Sequence, residues 1–548
     1  MSPRRAASDP SSRVWSVQVA PANGSWDLIS LLALLAWGAS LGLAAIVRRP
    51  DITRSASFLF GDQGLNLYVT DRILAGGRLY ADVAYPYGPI PAYGYAAFAR
   101  MAGNSILSYD LFLLAISLIN LGLAYLLLRR YTGRMASLLI AAIGLTPLLL
   151  VPGSLVGGYA VSPYVPMERT ALLAVSLLWR RPEHRGAARN VGIGVALGLL
   201  QGVRFGGAFF AGAAILMLDL LALRLSGSGM DGTSAWFRSL LTTLAAFLSI
   251  QAAWVGYALL TLPLQVARDF LWPTYVLRTY SAWMHPGERW PHWFGWRMFI
   301  GQQLPLVVGV VMGLAAIVCL LRVGRRGSGP GNESRMRLLP LLLPFIFYIL
   351  AAGVYFRQAY HFYQFAWALV IPVGWPARSH PRRLAAIVAL LLPCFALNAR
   401  ANLLTVADPD SEPVTLPDGA RVTLGSALRA DLGALSGAMG DEAFRHSMFF
   451  ASGAGLYHFY DIDVRLRQPW FLPGFVRPYD ERQLLEILSP RARLVVMSDF
   501  AEEPGARRFC AVLGRWNPFT PETCAALERR LGEPVRIGEK FVVFPVRS

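Results

Sequence analysis

The sequence predicts an α-helical polytopic membrane protein of about eleven transmembrane helices, followed by a C-terminal soluble α/β domain. Its 548 residues are 55% hydrophobic and only 15% charged, with a mean hydropathy of +0.44. This composition is too apolar for a soluble enzyme of such length. Apolar runs such as Leu28 to Val47 and Ile106 to Leu128 are long enough to cross a hydrocarbon core about 30 Å thick. Beyond residue 399 charges return and apolar runs shorten, which indicates a separate soluble domain.

The charge of the chain is strongly positive, with a formal net value of +18 and a pI near 10.1. In a soluble protein this charge would indicate a nucleic-acid partner. Here the arginines cluster in short loops after apolar runs, as at Arg129-Arg130 and Arg325-Arg326. This is the positive-inside pattern, so we expect membrane lipid around the chain, no nucleic acid and a cytoplasmic N-terminus. Lys540 is the only lysine in the sequence, and this scarcity indicates a GC-rich bacterial genome. We expect the protein to lie in the bacterial inner membrane.

Hydropathy and loop charge divide the chain into three parts. Residues 1–27 are predicted to form a cytoplasmic tail, 28–399 a transmembrane module and 400–548 an extracytoplasmic α/β domain. No small-residue cleavage site follows the first span, so we expect an uncleaved anchor. The spans are predicted near residues 28–47, 106–128, 135–152, 166–180, 190–203, 206–224, 236–260, 298–321, 338–356, 361–376 and 383–399.

The terminal domain contains two short apolar runs, Leu494 to Met497 and Phe541 to Phe544, which are typical of buried strands. It also holds Cys510 and Cys524. In an oxidising compartment these two either form a disulfide or remain free thiols, and the sequence favours neither.

The first outer loop, residues 48–105, carries the most informative motif, Gly61-Asp62-Gln63-Gly64. It places a carboxylate at the outer mouth of the helical bundle, where an ionisable side chain is costly to desolvate and usually serves chemistry or transport. The loop continues through Gly76-Gly77 to Asp82 and then to Tyr85-Pro86-Tyr87-Gly88-Pro89. The alternative for Asp62 is a helix cap or an exposed loop acid, because an amphipathic pattern follows it.

These elements resemble the membrane-embedded C-type (GT-C) glycosyltransferases, which take sugars from polyprenyl phosphates and include the protein O-mannosyltransferases and aminoarabinose transferases. The resemblance rests on Asp62-Gln63-Gly64, on Gly76 to Asp82 and on Pro86-Tyr87-Gly88-Pro89. Gly198 to Gly207, Arg357 followed by His361, and the terminal domain also fit. The resemblance implies a polyprenyl-phosphate-linked sugar that enters from the bilayer, a catalytic aspartate in the first outer loop, and inversion at the anomeric carbon. The acceptor is left open as a lipid, a polysaccharide or a protein.

Carried onto this chain, the resemblance makes Asp62 the general base that deprotonates the acceptor hydroxyl. Asp82 is a candidate to position the acceptor or the loop, or else an ordinary turn acid. Four basic residues are candidates to hold the donor phosphate: Arg72, Arg204, Arg357 and His361. For Arg204 the alternative is a hairpin arginine that snorkels to the headgroups, and for His361 a solvated histidine.

Relatives often carry an acidic pair where this chain has Asp62-Gln63. Hard divalent ions prefer clustered charged oxygens, so we expect no cofactor and little dependence on a metal. The rival functions are a non-catalytic lipid or polysaccharide transporter (flippase), and an oligosaccharide polymerase or ligase. A transporter predicts ionisable residues along a mid-membrane path with repeated halves, whereas here the polar motifs gather on the outer side.

Overall fold

A computed structural model describes most of the helical part and of the C-terminal domain. The described residues are 24–52, 59, 61–150, 162–226, 230–271, 339–355, 367–368, 370–373, 381–403, 411–450, 453–460, 462–464, 466–469, 471, 476–497, 501 and 505–547.

The chain is a multi-pass membrane protein. Within the described residues, four helices are long and apolar enough to cross a membrane: Ser25–Val47, Ile106–Arg129, Gly207–Arg224 and Gly232–Thr261. Shorter apolar helices cover Arg134–Leu149, Ala187–Val203 and Leu339–Ala351. All of these coincide with predicted spans. The span predicted at 298–321 and most of that at 361–376 lie outside the described residues.

The helical part contains thirteen described α-helices of very different lengths. In chain order they are α1 (Gly24–Ile52), α2 (Asp62–Leu74), α3 (Pro89–Ala102), α4 (Ile106–Arg129), α5 (Arg134–Leu139), α6 (Thr146–Leu149), α7 (Tyr164–Leu178), α8 (Ala187–Val203), α9 (Gly207–Ser226), α10 (Met230–Thr261), α11 (Leu264–Leu271), α12 (Leu343–Tyr355) and α13 (Pro381–Leu403). A π-helical segment, Ile140–Leu145, joins α5 to α6, and 3-10 turns cover Pro182–His184, Leu339–Leu342 and Ile371–Val373.

Helices α8 and α10 pack closely against each other. A Cβ atom added to Gly198 of α8 would lie 2.6 Å from the side chain of Ile250 in α10. The missing side chain therefore lets the two helices approach closely, as small residues do in membrane bundles. Because α8 ends at Val203, this packing fixes the position of the residues that follow it.

The C-terminal domain is a small α/β unit with a hairpin and a four-stranded sheet. Strands β1 (Ser411–Thr415) and β2 (Arg421–Gly425) pair antiparallel. The sheet has the order β3-β4-β6-β5, from β3 (Ser447–Phe450), β4 (Arg493–Met497), β5 (Val535–Ile537) and β6 (Phe541–Pro545). Only β3 and β4 run parallel within it. The helices are α14 (Ser426–Arg445), α15 (Ala454–Phe459), α16 (Pro478–Ile487), α17 (Phe509–Leu513) and α18 (Pro521–Arg530), with a 3-10 turn at Gly514–Trp516.

The two predicted strands are confirmed as β4 and β6, which are adjacent and antiparallel with Val495 opposite Val543. Most of their side chains are buried in the apolar core of the domain. Cys510 of α17 and Cys524 of α18 are joined by a disulfide, with their Cα atoms 5.9 Å apart.

The C-terminal domain packs directly on the segment that carries Asp62 and α2. One continuous apolar core includes Leu67 of α2 together with Phe449 of β3 and Leu456 of α15. The hydroxyl of Tyr68 donates to the carbonyl of Leu466 at 2.6 Å. The domain and the loop that carries Asp62 therefore lie on the same side of the helical part.

Candidate active site

Asp62 is the first residue of α2 and belongs to a partly buried polar cluster with Tyr87 and Asn66. Its Oδ2 atom accepts a hydrogen bond of 2.7 Å from the hydroxyl of Tyr87. Burial raises the pKa of the Asp62 carboxyl to about 6, although the Tyr87 hydrogen bond opposes that rise. The group is therefore mostly ionised at neutral pH, yet it is a stronger base than an exposed aspartate.

Asn66, one helical turn after Asp62, joins the surrounding segments to α2. Its side-chain amide donates to the carbonyl of Asp62 at 2.6 Å and lies 3.3 Å from the hydroxyl of Ser162. Its Oδ1 atom accepts a 2.8 Å hydrogen bond from the hydroxyl of Tyr85. Asn66 is almost fully buried, so these bonds also satisfy a polar group that would be costly to leave unpaired. We did not predict this residue, although its i+4 spacing from Asp62 puts both on one face of α2.

Tyr87 reaches Asp62 because the segment Pro86-Tyr87-Gly88-Pro89 rests on the end of α8. The amide of Gly88 donates to the carbonyl of Val203 at 3.2 Å. A Cβ atom on Gly88 would lie 2.0 Å from the carbonyl oxygen of Gly202, so no other residue fits there without a shift. The Tyr87 ring packs on the ring of Tyr164 with centroids 4.2 Å apart.

Arg204 lies just after the end of α8 and packs on the ring of Tyr164, which also contacts Tyr87. Its guanidinium is 5.3 Å from the ring centroid of Tyr164, and its Nη1 atom is 3.1 Å from Oε2 of Glu168. Glu168 also accepts a 3.2 Å hydrogen bond from Tyr348 of α12. Arg204 is thus buried and paired with Glu168. Tyr164, on which the Arg204 guanidinium packs, also contacts the ring of Tyr87, the hydrogen-bond partner of Asp62.

Arg72 and Asp82 lie together at the far end of the loop. Arg72 follows Asp62 by ten residues of helix, a distance of about 15 Å along the axis. Its Nη2 atom donates to the carbonyl of Asp82 at 3.4 Å. Asp82 itself pairs with Arg78 at 3.1 Å, and this hydrogen bond lowers the pKa of the Asp82 carboxyl. The structure does not bring Arg72 or Asp82 to Asp62.

Arg357 and His361 lie outside the described residues, so their positions relative to Asp62 stay a prediction. In the part of the chain that the structure describes, no three His, Cys, Asp or Glu side chains converge in a way that could hold a metal ion.

Comparison with known proteins identifies the fold. No protein-family model and no curated protein matches the sequence. Among solved structures, the chain is similar to ArnT from Cupriavidus metallidurans bound to undecaprenyl phosphate, with a TM-score of 0.52 and 14% identity over 95% of this chain and 98% of that one. The apo state of that protein gives a TM-score of 0.50 and 15% identity over 95% and 97% of the two chains. At this level of identity the similarity shows that the two chains share a fold, and the fold expected from the sequence resemblance is confirmed.

Proposed function

We propose that the chain is an integral-membrane glycosyltransferase that moves a hexosyl or pentosyl group from a polyprenyl-phosphate donor to an acceptor hydroxyl. Asp62 is the general base in this proposal. The observation that carries it is the part-buried hydrogen bond of 2.7 Å between Tyr87 and Asp62, within a fold similar to that of ArnT. A base with a pKa of about 6 is matched to deprotonating a hydroxyl near neutral pH.

The reaction is a single displacement at the anomeric carbon. As the acceptor oxygen forms its bond to that carbon, its proton passes to the carboxylate of Asp62. The bond between the anomeric carbon and the phosphate oxygen breaks, and the departing polyprenyl phosphate keeps the electron pair. Attack from the face opposite the leaving group inverts the configuration.

Stabilisation of the leaving phosphate is assigned to the basic residues of the outer side. Arg204 is the candidate among the described residues, because its guanidinium packs on Tyr164, and Tyr164 contacts Tyr87, which donates to Asp62. Arg357 and His361 remain proposed ligands for the same phosphate. Arg72, about 15 Å along the helix from Asp62, also remains a proposed ligand of the donor phosphate, and Asp82, which accepts a hydrogen bond from Arg72, is proposed to position the acceptor or the loop.

The proposed placement has the N-terminus in the cytoplasm and both Asp62 and the C-terminal domain outside, in a bacterial inner membrane. It supposes no metal or other cofactor, because Asp62 is followed by Gln63 and not by a second carboxylate.

The test is Asp62→Asn in protein reconstituted into lipid nanodiscs. Undecaprenyl-phosphate-linked hexoses and pentoses serve as donors, an envelope extract supplies acceptors, and mass spectrometry detects the released undecaprenyl phosphate. We expect release with the native protein and none with Asp62→Asn. The matched control Asp441→Asn, at an exposed acid of α14, should behave as the native protein. Unchanged release with Asp62→Asn would refute the assignment of Asp62 as the base. In a separate assay with sealed vesicles, native protein that moves the donor across the bilayer without releasing undecaprenyl phosphate would refute the transferase proposal.

A further inference from the structure

The turn between α2 and α3 contains an unusual backbone conformation at Tyr80. Its φ angle is 69°, and in the described part of the chain it is the only residue other than glycine with a positive φ. A bulky side chain rarely adopts this left-handed conformation, so surrounding contacts must maintain it. One such contact is local: the amide of Tyr80 donates to the carbonyl of Val83 at 2.7 Å and closes the turn.

Tyr80 is linked to Asp62 by two successive hydrogen bonds. The hydroxyl of Tyr80 donates to the carbonyl of Tyr87 at 2.7 Å, and the hydroxyl of Tyr87 donates to Asp62 at 2.7 Å. The Tyr80 ring is buried and packs on the ring of Phe270 in α11, with centroids 4.6 Å apart. A rotation at Tyr80 therefore displaces the backbone of Tyr87, and with it the hydroxyl that holds the carboxylate.

Arg467 of the C-terminal domain holds this turn at two points. Its Nε atom donates to the carbonyl of Tyr80 at 3.0 Å, and its own carbonyl accepts a 2.6 Å hydrogen bond from the amide of Ala84. The guanidinium is fixed in turn by Asp480, 2.6 Å from Nη1, and by the hydroxyl of Tyr479, 3.0 Å from Nη2. Because Asp480 is almost fully buried at the start of α16, this anchor is rigid.

We propose that Arg467 is a positioning residue for the reaction at Asp62, acting through Tyr80 and Tyr87. The inference rests on the proposed function and adds to it a role for the C-terminal domain. In this arrangement the domain completes the active site by maintaining the left-handed turn. Displacement of a catalytic group by about 1 Å is enough to slow a reaction by about a hundredfold, so loss of this link should affect the rate more than donor binding.

The experiment compares Arg467→Gln and Tyr80→Phe with the native protein in nanodiscs, using the undecaprenyl-phosphate-linked sugar that supports turnover. The matched control is Arg429→Gln, which removes an exposed arginine of the same domain that pairs with Glu412. We expect kcat to fall by about tenfold to a hundredfold in both test variants, with the donor KM within about twofold of its native value. The acid limb of the pH–rate profile should move to higher pH, because the hydrogen bond to Asp62 weakens. Arg429→Gln should change none of these quantities.

A second readout does not depend on activity. Amide hydrogen exchange in residues 80–87 should increase in Arg467→Gln, while exchange in the sheet of the C-terminal domain stays at its native level. Native kcat in Arg467→Gln would refute the inference. Equal loss of kcat in all variants with an unmoved acid limb would also refute it, because that result indicates only a general loss of folded protein.

The outcome also separates this inference from the proposed function. If Asp62→Asn is inactive while Arg467→Gln and Tyr80→Phe keep native kinetics, the base assignment stands and the positioning role is wrong. If Asp62→Asn transfers at the native rate, the assignment of Asp62 as the base fails whatever the exchange data show, and the positioning role fails with it.

Discussion

Replacing Tyr87 by phenylalanine removes the hydroxyl that donates to Asp62 and leaves the ring that packs on Tyr164. The ionised carboxylate loses this donor, while the protonated form loses much less. The pKa of Asp62 should therefore rise above its native value of about 6. A general base is active only when deprotonated, so activity on the acid side of the profile should require a higher pH.

The size of this shift follows from the strength of the bond. A hydrogen bond to a charged group contributes about 1.5–3 kcal/mol, and each pKa unit corresponds to about 1.4 kcal/mol. The pKa of Asp62 should thus rise by about 1–2 units, to roughly 7–8. At pH 7 the ionised fraction would fall from about 0.9 to between about 0.1 and 0.5, which lowers the rate about twofold to tenfold.

The assay is the rate of undecaprenyl phosphate release between pH 5 and pH 9, roughly the range that spans both pKa values, at saturating donor. The native acid limb should have its midpoint near pH 6, and Tyr87→Phe should regain most of its rate at high pH. Tyr93→Phe is the matched control, because it removes a hydroxyl bonded to that of Tyr257, outside the Asp62 cluster. An acid limb that stays near pH 6 in Tyr87→Phe would refute the role of this bond.

Three further predictions concern the surrounding structure. Gly88→Ala should lower both thermal stability and activity, because its Cβ would lie 2.0 Å from a carbonyl oxygen of α8, whereas Gly212→Ala meets no atom within 4 Å and should do neither. Arg204→Gln should lower the free energy of unfolding by about 3–5 kcal/mol, because it leaves Glu168 buried without this partner. The double variant with Glu168→Gln should lose less than the sum of the two single losses, and an additive loss would contradict the pairing. Treatment with EDTA should leave the transfer rate within about twofold of its native value, because Asp62 lacks the second carboxylate that a hard divalent ion prefers; loss of activity that Mg²⁺ or Mn²⁺ restores would show this to be wrong.

The membrane helices could be predicted because hydropathy is a local property of the sequence. The runs at Leu28 and Ile106 appear as helices where they were expected, and so do the short strands at Leu494 and Phe541. The π-helical segment at Ile140–Leu145 was not predicted, since it interrupts a continuous apolar run. No composition signal marks such a change in hydrogen-bonding pattern.

The candidate site could be predicted only in part. The loop motif contains both Asp62 and its hydrogen-bond partner Tyr87, and the role of Asp62 as a base stays a proposal. Other contacts of the cluster come from distant segments. Arg467 contacts Tyr80 across 387 residues of sequence, and Glu168 is held by Tyr348 across 180. Such pairs depend on how the elements pack, which local patterns do not specify. Arg72 was grouped with the phosphate ligands by its position in the motif, and the helix then separates it from Asp62.

The central claim is that the Asp62 carboxylate takes the acceptor proton. It is tested most directly by single-turnover kinetics on native protein and Asp62→Asn, with donor binding measured on the same preparations. The account predicts donor binding within about twofold of native and transfer slowed by about 10²–10⁴-fold, the usual contribution of a general base. Transfer within about tenfold of the native rate, or donor binding lost to the same extent as transfer, would contradict it.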